Sequence, residues 1–131
     1  MQDRPTADQL LDAVAAFLRE QASDAGGRPL AFHARVAAHA IDIARRELRL
    51  APAASAREHA ALVRLLSADS TSDVAQLNRL LCERIAAGEM DLATPGLADT
   101  LWQITLDKLA VDQPTYDTYL RSTGSARDEE R

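Results

Sequence analysis

His33, His39, His59 and Cys82 are the side chains of this 131-residue sequence best suited to hold a transition metal, with scattered carboxylates as further donors. Their spacing is wrong for it. His33 and His39 are six residues apart, which on a helix separates them by roughly 240°, so they cannot share an ion as i,i+4 histidines do. Nucleophilic catalysis needs a Ser, Cys or Thr beside an oriented base, and no Gly-x-Ser-x-Gly elbow or reactive-cysteine signature is present. Cys82, between Leu81 and Glu83, reads as a small buried or half-buried residue. His33 reads as a partly buried, hydrogen-bonded side chain near a helix start. Gly26-Gly27 is followed by Arg28-Pro29 without the lysine pattern of a phosphate-cradling loop, so it reads as a turn. These residues predict no metal, no cofactor and no catalytic centre. Two i,i+4 ion pairs, Asp42 with Arg46 and Lys108 with Asp112, are of the kind that usually decorates a helix surface.

The elements that position these groups are helices. Thr6 with Gln9 has the capping-box pattern, and Leu10, Val14, Phe17 and Leu18, widened by Leu11, follow at helical spacing. This first helix stops at Ser23-Asp24-Ala25-Gly26-Gly27. Pro29 suits the first turn of a second helix reaching about Leu50, whose apolar positions and many alanines cover most of its circumference, as in a central helix. Its polar exceptions, Arg35, His39, Asp42 and Arg46, recur at spacings of four, three and four, a narrow stripe that faces solvent or lines a groove.

Pro52 predicts a break, followed by a third helix over 56–66 with Leu62, Leu65 and Leu66 inward. Ser72 or Asp73 caps a fourth helix carrying Val74, Leu77, Leu81 and Ile85 and ended by Gly88. Thr94-Pro95 predicts the start of a fifth, with Leu97, Leu101, Ile104 and Leu109 inward and its end before Pro114. A last turn over 115–120 carries Tyr116 and Tyr119, and 122–131 reads as a disordered tail. The expected fold is therefore all-α, a single-domain bundle of about five helices over 1–121 around the alanine-rich second helix.

Composition narrows the function classes. Hydrophobic residues make up 47% and aromatics only 4%, which suits an aliphatic core between closely approaching helices. A net charge of -5 argues against nucleic acid as a partner, because phosphate binding needs clustered Lys and Arg. Cys82 is the only cysteine, so no internal disulfide forms and a reducing compartment is expected. The apolar run over 13–18 is too short to span a bilayer, and the first residues lack the pattern of a signal peptide. The expectation is a cytoplasmic protein with no membrane partner. Alanine-rich helices also suit a homodimer, without fixing its symmetry.

Three stretches together resemble a known family: Gln2-Asp3-Arg4-Pro5-Thr6, Phe32-His33-Ala34-Arg35-Val36-Ala37-Ala38, and Asp107-Lys108-Leu109-Ala110-Val111-Asp112 before Gln113-Pro114. They are similar to a bacterial family of small domains of unknown function encoded beside aminoglycoside-phosphotransferase-like kinases and acyl-CoA dehydrogenases. The likeness covers residues 2–120. One branch is the accessory protein of levulinate and 4-hydroxyacid catabolism, which works with the kinase that phosphorylates a 4-hydroxyacyl-CoA. Hydroxide leaves poorly, and phosphorylation prepares the hydroxyl for elimination. The resemblance implies a partner-binding role for Asp3, Arg4, Phe32, His33, Arg35, Lys108 and Asp112. Arg35 alternatively ties the N-terminal segment to the second helix through Asp3. The chain departs from the family pattern at His39, where asparagine is usual, and at Gln113-Pro114-Thr115-Tyr116, where the pattern is Asn-Pro-Arg-Tyr.

The leading expectation is a non-catalytic accessory subunit of such a kinase. The alternative is a stand-alone helical protein holding an acyl or acyl-CoA ligand beside the Arg35/His39/Arg46 stripe, with arginine meeting the anionic groups. A third expectation, an enzyme with His33 as general base, ranks below both.

Overall fold

Local hydrogen bonding starts the first helix where the sequence places it. In the computed structural model, which describes residues 6–24 and 29–124, the Thr6 amide donates to Gln9 Oε1 at 2.9 Å and the Gln9 amide donates to Thr6 Oγ1 at 3.3 Å. Helix α1 (Ala7–Asp24) follows, then α2 (Pro29–Leu66), α3 (Val74–Ala86), α4 (Leu97–Asp112) and α5 (Asp117–Thr123). The chain is all-α, with α2 long and rich in alanine. It divides into two compact units, residues 1–49 and 50–131, with the boundary inside α2.

Pro52 does not break the chain into two helices. It lies inside α2, at an exposed position, so the helices predicted over 29–50 and 56–66 are one element. The ring removes the hydrogen bond that residue 52 would donate to the Leu48 carbonyl and crowds that carbonyl, a local cost that the flanking turns tolerate.

In the first unit, α1 runs antiparallel to the first part of α2. Ala22 and Leu18 meet Ala31 and Ala34 at one end, and Asp8 meets Arg45 at the other. Among the described residues those buried here are all alanines: Ala15, Ala22, Ala31, Ala34 and Ala38. This corrects the inward face of α1. Leu10, Val14 and Phe17, predicted inward, are exposed. The inward stripe is Leu11, Ala15, Leu18 and Ala22, rotated by one residue, with the two alanines buried and the two leucines half-buried.

The second unit has an ordinary aliphatic core. Leu62 and Leu66 from the end of α2 pack with Leu77 and Leu81 of α3, Met90, and Leu97 and Ile104 of α4. Each fully buried leucine contributes about 2 kcal/mol, against under about 1 kcal/mol for an alanine methyl. Ile85 and Leu101, predicted inward, lie at the exposed margins of their helices. Arg84 donates to the Leu66 carbonyl at 3.0 Å, satisfying the end of α2. His59 Nε2 lies 2.9 Å from the Ser72 carbonyl, which can only accept, so that nitrogen carries the proton.

Asp73 caps α3 in a reciprocal box with Gln76, one of the two predicted caps. At the other end the Gly88 amide donates to the Ile85 carbonyl and the Glu89 amide to the Arg84 carbonyl, with Gly88 at φ 74°, a Schellman ending. The start of α4 differs from expectation. The Thr94 hydroxyl accepts from the Asp91 amide and the Asp91 carboxylate from the Ala93 amide, so Thr94 and Pro95 form a tight turn and Gly96 precedes the helix. Helix α5 includes Ser122 and Thr123, placed by sequence in the tail; residues 125–131 lie outside the described residues.

Candidate functional site

Arg35, His39 and Asp42, three of the four residues of the polar stripe on α2, line one open cleft of about 260 Å³ together with Ala38 and Arg19 of α1. Their spacing of four and three is what brings them there. Arg19 pairs with Asp42, whose other oxygen lies 3.8 Å from Arg45. Asp42 is therefore shared by Arg19 and Arg45. Among the described residues Arg35 and His39 make no ion pair or side-chain hydrogen bond, and both side chains are exposed. The cleft thus offers two cationic or donor groups to an anionic atom, next to a carboxylate already neutralised by arginine.

Arg45 is the arginine that ties α1 to α2. Its Nε donates to Asp8 Oδ1 at 3.0 Å, and its Nη1 meets Asp12. The hydrogen bond from Arg45 holds the Asp8 carboxyl below its ordinary value, and the same contact raises the guanidinium further. Nothing local in the sequence flags these contacts, since Arg45 and Asp8 are 37 residues apart. Asp3, proposed as a tie to Arg35, lies outside the described residues, as does Arg4.

Phe32 and His33 stand on α2 with their rings 5.8 Å apart, edge to face. Both are exposed, which corrects the partly buried reading of His33: the neighbouring alanines 31 and 34 take the inward positions. Phe32 is 59% exposed and Val36 52%, so this helix turns two large apolar side chains outward beside Arg35 and His39. Lys108 and Asp112 are far along the sequence, on α4 in the second unit, and both are exposed. Among the described residues no ion pair joins them. The anchored carboxylate of α4 is instead Asp107, bridged by Arg57 of α2 at 2.9 and 3.3 Å. Cys82, expected to be buried or half-buried, is exposed, because Leu77 and Leu81 occupy the inward face of α3. A second open cleft, about 350 Å³, is lined by Arg64, Leu65, Gly96, Asp99 and Thr100 among others.

Among the described residues no three His, Cys, Asp or Glu side chains converge as a metal site, and no helix is long and apolar enough to cross a membrane. The model of a domain of unknown function, DUF6285, matches residues 26–116. The chain belongs to the DUF6285 family. The matched stretch of this DUF6285 domain takes in α2, α3 and α4 and therefore the Phe32–Arg35 and Lys108–Asp112 positions, while α1 and residues 2–6 precede it. No curated protein matches the chain, and no solved structure does.

Proposed function

We propose that this protein is a non-catalytic accessory subunit of an aminoglycoside-phosphotransferase-like kinase that acts on hydroxyacyl-CoA in acid catabolism. The observation that carries a protein-binding role is the outward turn of Phe32 and Val36 on α2, flanked by Arg35 and His39, over a seam of buried alanines. An exposed aromatic with an arginine beside it is the composition of a protein-binding hot spot. The kinase itself is what the family resemblance implies. A subunit of this kind raises turnover by completing the acyl-CoA pocket of the kinase or by holding it closed.

The test is co-expression with the kinase of that class encoded in the same genome. A complex that co-purifies and raises kinase turnover, and that weakens at least tenfold with Phe32→Ala or Val36→Asp, is the expected result. Separate elution with unchanged turnover removes the proposal.

The open cleft between Arg19, Arg35 and His39 favours a second reading, a helical protein that binds an acyl-CoA-like anion directly. At about 260 Å³ it falls below the roughly 300–1,000 Å³ of pockets that enclose a drug-sized ligand, so it suits one phosphate or carboxylate and not a whole acyl-CoA. The accessory role is therefore preferred. Calorimetric titration with acyl-CoA decides: heat and thermal stabilisation that vanish with Arg35→Ala favour direct binding, and their absence removes it.

A further inference from the structure

The first unit leaves large apolar side chains outside while alanines fill its seam. Leu10, Val14 and Phe17, spaced by four and three, share one face of α1 and are 47%, 48% and 57% exposed. On α2, Ala37, Ile41, Ala44 and Leu48, spaced by four, three and four, form a matching face, with Leu48 61% exposed. The two faces lie on the same side of the helix pair. Asp8, Asp12 and Arg19 of α1 meet Asp42 and Arg45 of α2 along one edge, and in helical projection both apolar faces fall on the opposite edge.

We propose that this side of the helix pair docks against the same side of a second copy of the chain, forming a symmetric four-helix bundle with Val14 near the two-fold axis. Three observations select a second copy. First, the α1 face is nearly palindromic about Val14, so antiparallel pairing sets Leu10 against Phe17 of the other copy, the self-complementarity that a two-fold interface needs. Second, the area suffices. The exposed parts of Leu10, Val14, Phe17 and Leu48 come to about 400 Å² per copy, as large as the biggest patches left bare on monomers. Two copies bury about 800 Å² through these alone, and the alanines, Ile41 and Gln21 between them carry the total past the roughly 1,000 Å² of a specific interface.

Third, the face itself carries no charged residue, so two chains of net charge -5 meet there without like charges in contact. The dimer does not depend on the kinase reading, because Phe32 and Val36 project from α2 away from this face and stay uncovered.

Sedimentation equilibrium of the purified chain, with Cys82→Ser as background, tests this. The expected result is a dimer at micromolar concentration, at least tenfold weaker in Val14→Glu and in Phe17→Glu. Val14→Cys should form an inter-chain disulfide on mild oxidation, whereas Glu20→Cys, off the face, should not. A wild-type monomer at 100 µM or above, or a dimer unaffected by the glutamates in variants with native circular dichroism, overturns the proposal. Where a glutamate variant does not fold, the disulfide decides: no cross-link at Val14 also overturns it. Loss of kinase binding with an intact dimer, or the reverse, separates this proposal from the preceding one.

Discussion

Replacing Pro52 with alanine should stabilise the protein. The residue is exposed within a helix of 38 residues, so the change deletes no core contact. It restores an amide that can donate to the Leu48 carbonyl and removes the clash of the proline ring with that same carbonyl. Proline costs about 3 kcal/mol relative to alanine in a helix interior. Against this, proline restricts the unfolded chain, which favours the parent by about 0.4–1 kcal/mol. The net expectation is a gain of about 2 kcal/mol and a rise in melting temperature of roughly 5–10 °C for a chain of this size. Urea unfolding followed by far-ultraviolet circular dichroism measures the first, and calorimetry the second. Hydrogen exchange adds a local reading, since the new amide at position 52 should be protected. If Pro52 instead separated two helices, its removal would be neutral or slightly destabilising and the new amide would exchange freely. A midpoint that is unchanged or lowered therefore refutes a continuous α2.

Leu62→Ala should cost about 3–5 kcal/mol, because the side chain is fully enclosed by the leucines of α2 and α3, whereas Leu92→Ala, on the surface, should stay within about 0.5 kcal/mol in the same urea titrations. Gly88→Ala should lose about 1 kcal/mol through backbone strain alone, since φ is 74° and an added Cβ meets no neighbour; a neutral effect would contradict the Schellman ending. Asp8 is held below its ordinary value by Arg45, so its contribution is complete above the usual carboxylate range and disappears as pH falls through the lowered value. The urea midpoint should then decline below about pH 4, less steeply in Asp8→Asn, with part of the decline retained because the Thr71 backbone amide also holds Asp69 low. Parallel acid profiles of the two proteins would rule out the Arg45 contact as its source.

Features set by neighbouring residues were legible in the sequence, and features set by distant ones were not. The boxes at Thr6–Gln9 and Asp73–Gln76 close over three residues, and the Leu62, Leu66, Leu77 and Leu81 positions follow from period alone. The first helix shows the limit. Its sequence carries two stripes one residue apart, Leu10-Val14-Phe17 and Leu11-Ala15-Leu18-Ala22, and hydrophobicity favours the larger side chains. What decides is the alanine surface of α2 opposite, which is tertiary information. Pro52 stays within a continuous helix for a related reason, since a helix packed at both ends carries a proline that an isolated one does not.

The candidate site divides the same way. Arg35, His39 and Asp42 share a face by spacing and do line one cleft. Arg19 and Arg45, which complete and anchor that cleft, act across 23 and 37 residues of sequence, with no local pattern to single them out. The outward turn of Phe32 was equally hidden, because an apolar residue in an alanine-rich helix looks like core until its neighbours are known to fill the seam.

That seam also limits how the chain can vary over generations. Alanine has no smaller replacement but glycine, which weakens the helix, and no larger one that leaves the two backbones where they are. A leucine core drifts through isoleucine, methionine or valine one step at a time, each nearly neutral, while positions 15, 22, 31, 34 and 38 have no such neighbours in sequence space. Divergent members that keep this helix pair should therefore hold small residues there and change freely around them.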